Sequence, residues 1–170
     1  QAYAPVFNND GVYTPQMVVD GQAEFIGSNL AKAQTAITRL AKLPKADVMI
    51  VPAQKNQNEA DTIKLRVNVA KLPKLNSGDV AEVLLAITEN NLASQVARGE
   101  NSGRRLPHTA VVRELRSLGN LNESSKPFQT ETTVLPGKGW KRENLRAVVF
   151  VQERRNKRIL GAASANLARE

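Results

Sequence analysis

The residue types best suited to chemistry lie between positions 98 and 108. Arg98-Gly99-Glu100-Asn101-Ser102-Gly103-Arg104-Arg105 sets two glycines among three arginines, and His108, the single histidine of the chain, follows closely. Gly99 and Gly103 permit positive φ, and guanidinium groups beside bare backbone amides can hold an anion. Arg98, Gly99, Gly103, Arg104, Arg105 and His108 are therefore the candidate anion-binding residues. The same string also reads as a plain loop between strands, since glycine-rich stretches mark turns, with Glu100 and Asn101 capping backbone groups. His108 could act as a general base next to Glu100 or Ser102, or simply order the loop. Trp140, between Gly139 and Lys141 in a basic loop, either stacks on a ligand or packs beneath that loop.

Other chemistry is excluded by composition. The 170 residues contain no cysteine, so the chain has no thiolate for disulfide exchange. One histidine rules out a multi-histidine metal site. Neither a Walker pattern nor a dinucleotide fingerprint is present, and the carboxylates are scattered. No catalytic residue, metal ligand or cofactor is expected. The net charge is +8, and its excess lies beyond Leu43. One cluster is Arg98, Arg104, Arg105, Arg113 and Arg116; the other is Lys138, Lys141, Arg142, Arg146, Arg154, Arg155, Lys157 and Arg158. Such charge attracts an acidic partner or is a solvated surface. Nucleic acid is disfavoured, because the interleaved aromatics of a single-strand binder are missing. No apolar run reaches the roughly 18 residues of a membrane span. Gln1 to Pro5 shows no initiator Met, basic leader or apolar stretch, so the sequence reads as processed, truncated or part of a longer product.

Around these residues, 1–43 reads as strand, hairpin, strand and helix. Asp10-Gly11 is a turn signal. The apolar Met17-Val18-Val19 follows Tyr13-Thr14-Pro15-Gln16, and Asp20-Gly21 marks a two-residue hairpin returning through Ala23 to Ile26. Ser28 is the expected N-cap of a helix whose stripe is Leu30, Ala33, Ile37, Leu40 and Ala41, with Pro44 beyond its end. Pro15 by spacing alone reads as an ordinary trans proline at a strand start. Residues 44–170 read as β. Asp47 to Ala53, Thr62 to Leu72, Ala81 to Glu89, Phe128 to Leu135, Leu145 to Gln152 and Arg158 to Asn166 are the expected strands, with Gln54 to Asp61 a hairpin loop. Val111, Val112, Leu115 and Leu118 fit a short helix or turn over His108 to Gly119, with Gly119 its C-cap.

The string Val12-Tyr13-Thr14-Pro15-Gln16-Met17-Val18-Val19-Asp20-Gly21, with Gly27-Ser28, resembles a bacterial family of secreted, thioredoxin-like proteins of uncharacterised function. Arg98 to Arg104, His108-x-x-Val111-Val112-Arg113-Glu114-Leu115, Val149-Phe150-Val151-Gln152 and Ile159-Leu160-Gly161-Ala162-Ala163 extend the resemblance over nearly the whole chain. It implies a cis-proline loop of Tyr13, Thr14, Pro15 and Gln16, and a periplasmic or secreted location. It also implies an N-terminal half with Cys-x-x-C, which this sequence lacks. The resulting expectation is an α+β chain. Residues 1–43 would be the closing strands and helix of a thioredoxin-like fold, and residues 44–170 an antiparallel β-sandwich. A two-stranded hairpin is marginal alone, and Met17 to Val19 is apolar on both faces. Its sheet would be completed by the missing N-terminal half or by a protein partner. The expected role is a noncatalytic part of such a protein. The alternative is a basic sandwich module that holds an acidic protein or polyanion.

Overall fold

The computed structural model describes residues 3–8, 13–52, 62–123 and 127–168. The expected Asp10-Gly11 turn and Gln54 to Asp61 loop lie outside the described residues. In chain order the elements are β1 (Gln16–Val19), β2 (Ala23–Ile26), α1 (Leu30–Leu40), β3 (Asp47–Pro52), β4 (Ile63–Ala70), β5 (Ala81–Glu89), β6 (Leu92–Gln95), β7 (Arg105–His108), β8 (Val111–Leu121), β9 (Phe128–Val134), β10 (Leu145–Glu153) and β11 (Ile159–Asn166). The α+β, thioredoxin-like expectation is overturned. Strand dominates, α1 is the one α-helix among the described residues, and the strands form several antiparallel sheets.

Two sheets share one core. The order β11-β10-β5-β8 forms one and β3-β4-β9 the other. Alternation positions them: Ile63, Leu65, Val67 and Val69 of β4 are all buried, as are Val83, Leu85 and Ile87 of β5 and Leu145, Ala147, Val149 and Val151 of β10. These side chains belong to one apolar cluster, and its burial is the main drive for folding.

The sheets meet along two seams, and a glycine stands at each. At the β11–β3 seam the Ala46 N–H donates to the Leu160 carbonyl at 2.7 Å. A Cβ on Gly161 would lie 2.6 Å from the Ala46 carbonyl oxygen. At the β8–β9 side a Cβ on Gly119 would lie 2.8 Å from the Phe128 ring.

Gly119 is thus inside a strand rather than at a helix end. The short helix expected over His108 to Gly119 is replaced by the end of β7 and by β8, which pairs with β5 from Ala81↔Leu121 to Glu89↔Val111. The register shifts between Val83 and Leu84 and between Ile87 and Thr88. Those bulges insert an extra residue on β8 at Leu118 and at Arg113, which breaks the period-two pattern.

Residues 13–40 form a satellite with its own small cluster: Phe25, Ala33 and Ala36, with Met17, Val19 and Ala23 against them. The hairpin turns at Asp20 (φ +50°) and Gly21 (φ +66°), a conformation that glycine favours. The N-cap of α1 is Asn29 and not Ser28, because the Asn29 side chain accepts the Lys32 N–H at 3.0 Å. The expected stripe is only partly buried. Ala33 and Leu40 are inside with Ala36, whereas Leu30 and Ile37 are 69% and 53% exposed. The satellite has a two-stranded sheet rather than a full layer, so one side of α1 finds nothing to cover it among the described residues.

The hairpin tip docks on the β10–β11 turn. Ile159 N–H donates to the Asp20 carbonyl at 2.8 Å, and Lys45 pairs with Asp20 at 2.5 Å while also reaching the Ile159 carbonyl. A Cβ on Gly21 would sit 1.8 Å from the Lys157 carbonyl oxygen, so only glycine fits this approach.

Candidate functional site

The candidate anion-binding residues lie on one β-ribbon. β6 and β7 pair from Leu92↔His108 to Gln95↔Arg105. Beyond Gln95 the ribbon continues through Val96 N–H to the Arg104 carbonyl at 3.0 Å and Gly103 N–H to the Val96 carbonyl at 2.8 Å. Gly99 and Gly103 have φ of +88° and +81°. Arg98, Arg104 and Arg105 are exposed at this end.

His108 sits at the other end of the ribbon, where its Nε2 lies 2.8 Å from the Ser94 hydroxyl. It is therefore not brought to Glu100 or Ser102, which lie in the tip loop. Ser102 itself donates to the Ala97 carbonyl. β6 and β7 carry no alternating apolar signal, and Pro107 argues against a strand, so the sequence alone conceals this ribbon.

The Thr14–Pro15 peptide bond is cis. Around it, Gly27 N–H donates to the Pro15 carbonyl at 2.8 Å. Tyr13 donates its hydroxyl to Glu24, and Gln16 Nε2 donates to the same Glu24 oxygen at 3.0 Å. The hydrogen bond to Glu24 holds the Tyr13 phenol above its ordinary pKa; slight desolvation and the Glu24 charge add to this, and Gln16 opposes it. Thr14 and Pro15 are exposed.

Two buried carboxylates, neither evident as a site in the sequence, organise opposite ends of the β5–β10 ladder. Glu89 at the end of β5 has a fully buried side chain. It accepts Arg113 Nε at 2.7 Å and Lys141 N–H at 3.0 Å. The Arg113 guanidinium in turn lies 6.0 Å from the centre of the Trp140 ring, a cation–π distance. Glu153 at the end of β10 is equally buried. Arg158 donates to it from Nε (2.9 Å) and Nη2 (2.8 Å), and Asn76 donates through its backbone and side-chain nitrogens (2.7 and 2.9 Å). Burial alone would push the Glu153 carboxyl up. The hydrogen bonds from Arg158, Asn76 and Asn156 and the Arg158 charge outweigh that and hold it below the usual range.

The basic clusters are accordingly not uniform surface charge. Arg113 and Arg158 are partners of buried acids, and Arg116 reaches the Thr132 hydroxyl at 3.0 Å and the Thr133 carbonyl at 2.7 Å. Among the described residues the exposed Arg98, Arg104 and Arg105 side chains have no such partner.

Among the described residues no group of three or more His, Asp and Glu side chains could hold a metal ion. No helix among them is long and apolar enough to cross a membrane. Three surface features stand out among the described residues: the ribbon with its exposed arginines, the partly covered satellite, and a groove beside Trp140.

The family described as "Protein of unknown function (DUF1223)" matches residues 1–152. The chain belongs to that family. The match spans the satellite, the ribbon and Glu89, and ends one residue before Glu153. Neither a curated protein nor a solved structure matches the chain.

Proposed function

We propose that this chain is a noncatalytic, partner-binding module whose hairpin sheet is completed by a strand from another polypeptide segment. One observation carries the reading. Among the described residues β1 pairs with β2 along one edge only, and Met17, Val18 and Val19 are merely half-buried, so a row of backbone groups with no strand partner among those residues borders apolar side chains. Such an edge pairs readily with an added strand. The exposed Ile26, Leu30 and Ile37 extend an apolar surface around the same unit. The resemblance at Tyr13-Thr14-Pro15-Gln16 supports, as the source of that strand, a thioredoxin-like half of a secreted or periplasmic protein.

Hydrogen exchange of the isolated chain tests this. The amides of 16–26 should exchange much faster than those of β4 and β10. Core-level protection of these amides in a verified monomer overturns the proposal.

A second reading rests on the exposed Arg98, Arg104 and Arg105 at the ribbon tip: the ribbon holds an acidic protein or polyanion. Retention on heparin that falls steeply with salt supports it; elution at low salt, as for a weakly charged protein, argues against it.

A further inference from the structure

We propose that the outer edge of β6 receives an extended segment of an acidic partner protein as a third strand of the ribbon. The proposal deepens the second reading above and rests on it: the exposed arginines attract the partner, and the β6 edge holds it.

The two edges of the ribbon are unequal. Val96 N–H donates to the Arg104 carbonyl at 3.0 Å. By antiparallel alternation the pairs that exchange bonds are then Ser94↔Leu106 and Leu92↔His108. The backbone groups of the intervening pairs, Ala93↔Pro107 and Gln95↔Arg105, face outward. On β7 that outward row includes Pro107, which has no N–H to donate, so this edge is blunted. On β6 it is Ala93 and Gln95. Both are exposed, and their edge has no strand partner among the described residues. An edge that keeps its donors and acceptors takes an added strand.

The two faces are unequal as well. Leu92, Ser94, Leu106 and His108 share one face, and the 2.8 Å contact between Ser94 and His108 Nε2 spans it. Leu92, Leu106 and His108 are half-buried there, whereas Ala93, Gln95, Arg105 and Pro107 on the other face are all exposed. An added strand continues this alternation. In antiparallel addition the residues bonded to Ala93 and Gln95 share the face of Arg105, where carboxylates are favoured. The residues between them continue the face of Leu92 and Leu106, where apolar side chains are favoured. The fitting segment therefore alternates acidic and apolar residues.

The probe is a capped, fluorescein-labelled hexapeptide of alternating Glu and Val, added to the full chain and followed by fluorescence polarisation. It should bind saturably, and a Lys–Val counterpart should not. Methylating the three Glu amides, which face β6, should weaken binding by about tenfold or more, the loss of two or more hydrogen bonds. Methylating the three Val amides, which face away, should leave it unchanged. Ala93→Pro places a second proline directly across from Pro107. It removes an outward donor and no bond within the ribbon, so it should weaken the peptide while leaving Tm and elution from heparin unchanged. No saturable binding, equal binding by the Lys–Val or Glu-methylated peptide, or full binding by Ala93→Pro overturns the proposal. If such a result comes with steeply salt-dependent heparin retention, only the strand addition falls; elution from heparin at low salt removes the second reading as well.

Discussion

Replacing Glu153 strips the acceptor from four donors at once: two nitrogens of Arg158 and two of Asn76. The carboxylate is wholly buried and its arginine is 25% exposed. Removing one member of a buried pair destabilises by about 3–5 kcal/mol. Summing four separate hydrogen bonds would give more. However, Arg158 reaches some water and keeps its Nη2 bond to the Lys74 carbonyl at 2.7 Å, so the lower figure applies to Glu153→Ala. For a chain of this size each kcal/mol moves Tm by about 2–4 °C, so a loss of about 3 kcal/mol lowers Tm by roughly 6–12 °C. Glu153→Gln keeps the shape and one acceptor, and should lose about half as much, roughly 1.5 kcal/mol, at the low end of the scale of charge-assisted bonds.

The charge supplies a pH test. Because the folded carboxyl titrates below the usual range, its stabilisation is fully present above the unfolded value of about 4.3 and is lost as pH falls through the folded one. Urea unfolding followed by Trp140 emission, at neutral pH and near pH 3, should show the gap between wild type and Glu153→Gln closing in acid. A gap that is the same at both values, or that is below about 0.5 kcal/mol at neutral pH, where exposed substitutions fall, refutes the reasoning.

Gly161→Ala forces a methyl against the Ala46 carbonyl and should destabilise by about 1–3 kcal/mol, read as a lower urea midpoint. Gly21→Ala meets the Lys157 carbonyl; limited proteolysis should then cut the hairpin and α1 first while the core strands stay resistant. Glu24→Gln removes the main cause of the raised Tyr13 pKa, so ultraviolet titration should show one phenol ionising at lower pH than in wild type. Changing Arg98, Arg104 and Arg105 together to Gln should lower the salt needed for elution from heparin without shifting Tm, since their side chains are exposed.

Where apolar alternation is uninterrupted, the residues announce their strands. β4 is the clearest case, with Ile63, Leu65, Val67 and Val69 inward, and β5 spans Ala81–Glu89 as its pattern indicates. Asp20-Gly21 likewise predicts its hairpin, because few residues other than glycine tolerate the second turn position. β8 misleads because its two bulges space Val111, Val112, Leu115 and Leu118 like a helix. The N-cap shifts by one residue because Asn29 competes with Ser28 for the same N–H groups, and both are good caps. The Trp140 groove was visible only as an isolated aromatic. Arg113, which lies over the Trp140 ring, and Glu89, which holds Arg113, come from β8 and β5, far from Trp140 in the chain. Nothing local marks a carboxylate that will be buried at a strand end.

The docking of Gly21 has a mechanical consequence. A tug on β1 is not absorbed by a slack linker. It passes through the Asp20 carbonyl to Ile159, from the adjacent Arg158 to Glu153, and from Glu153 to Asn76. Whatever grips the small hairpin therefore also pulls on the far turn between β4 and β5. Occupancy at one end of the molecule is written into the tension of a loop that the visitor never touches.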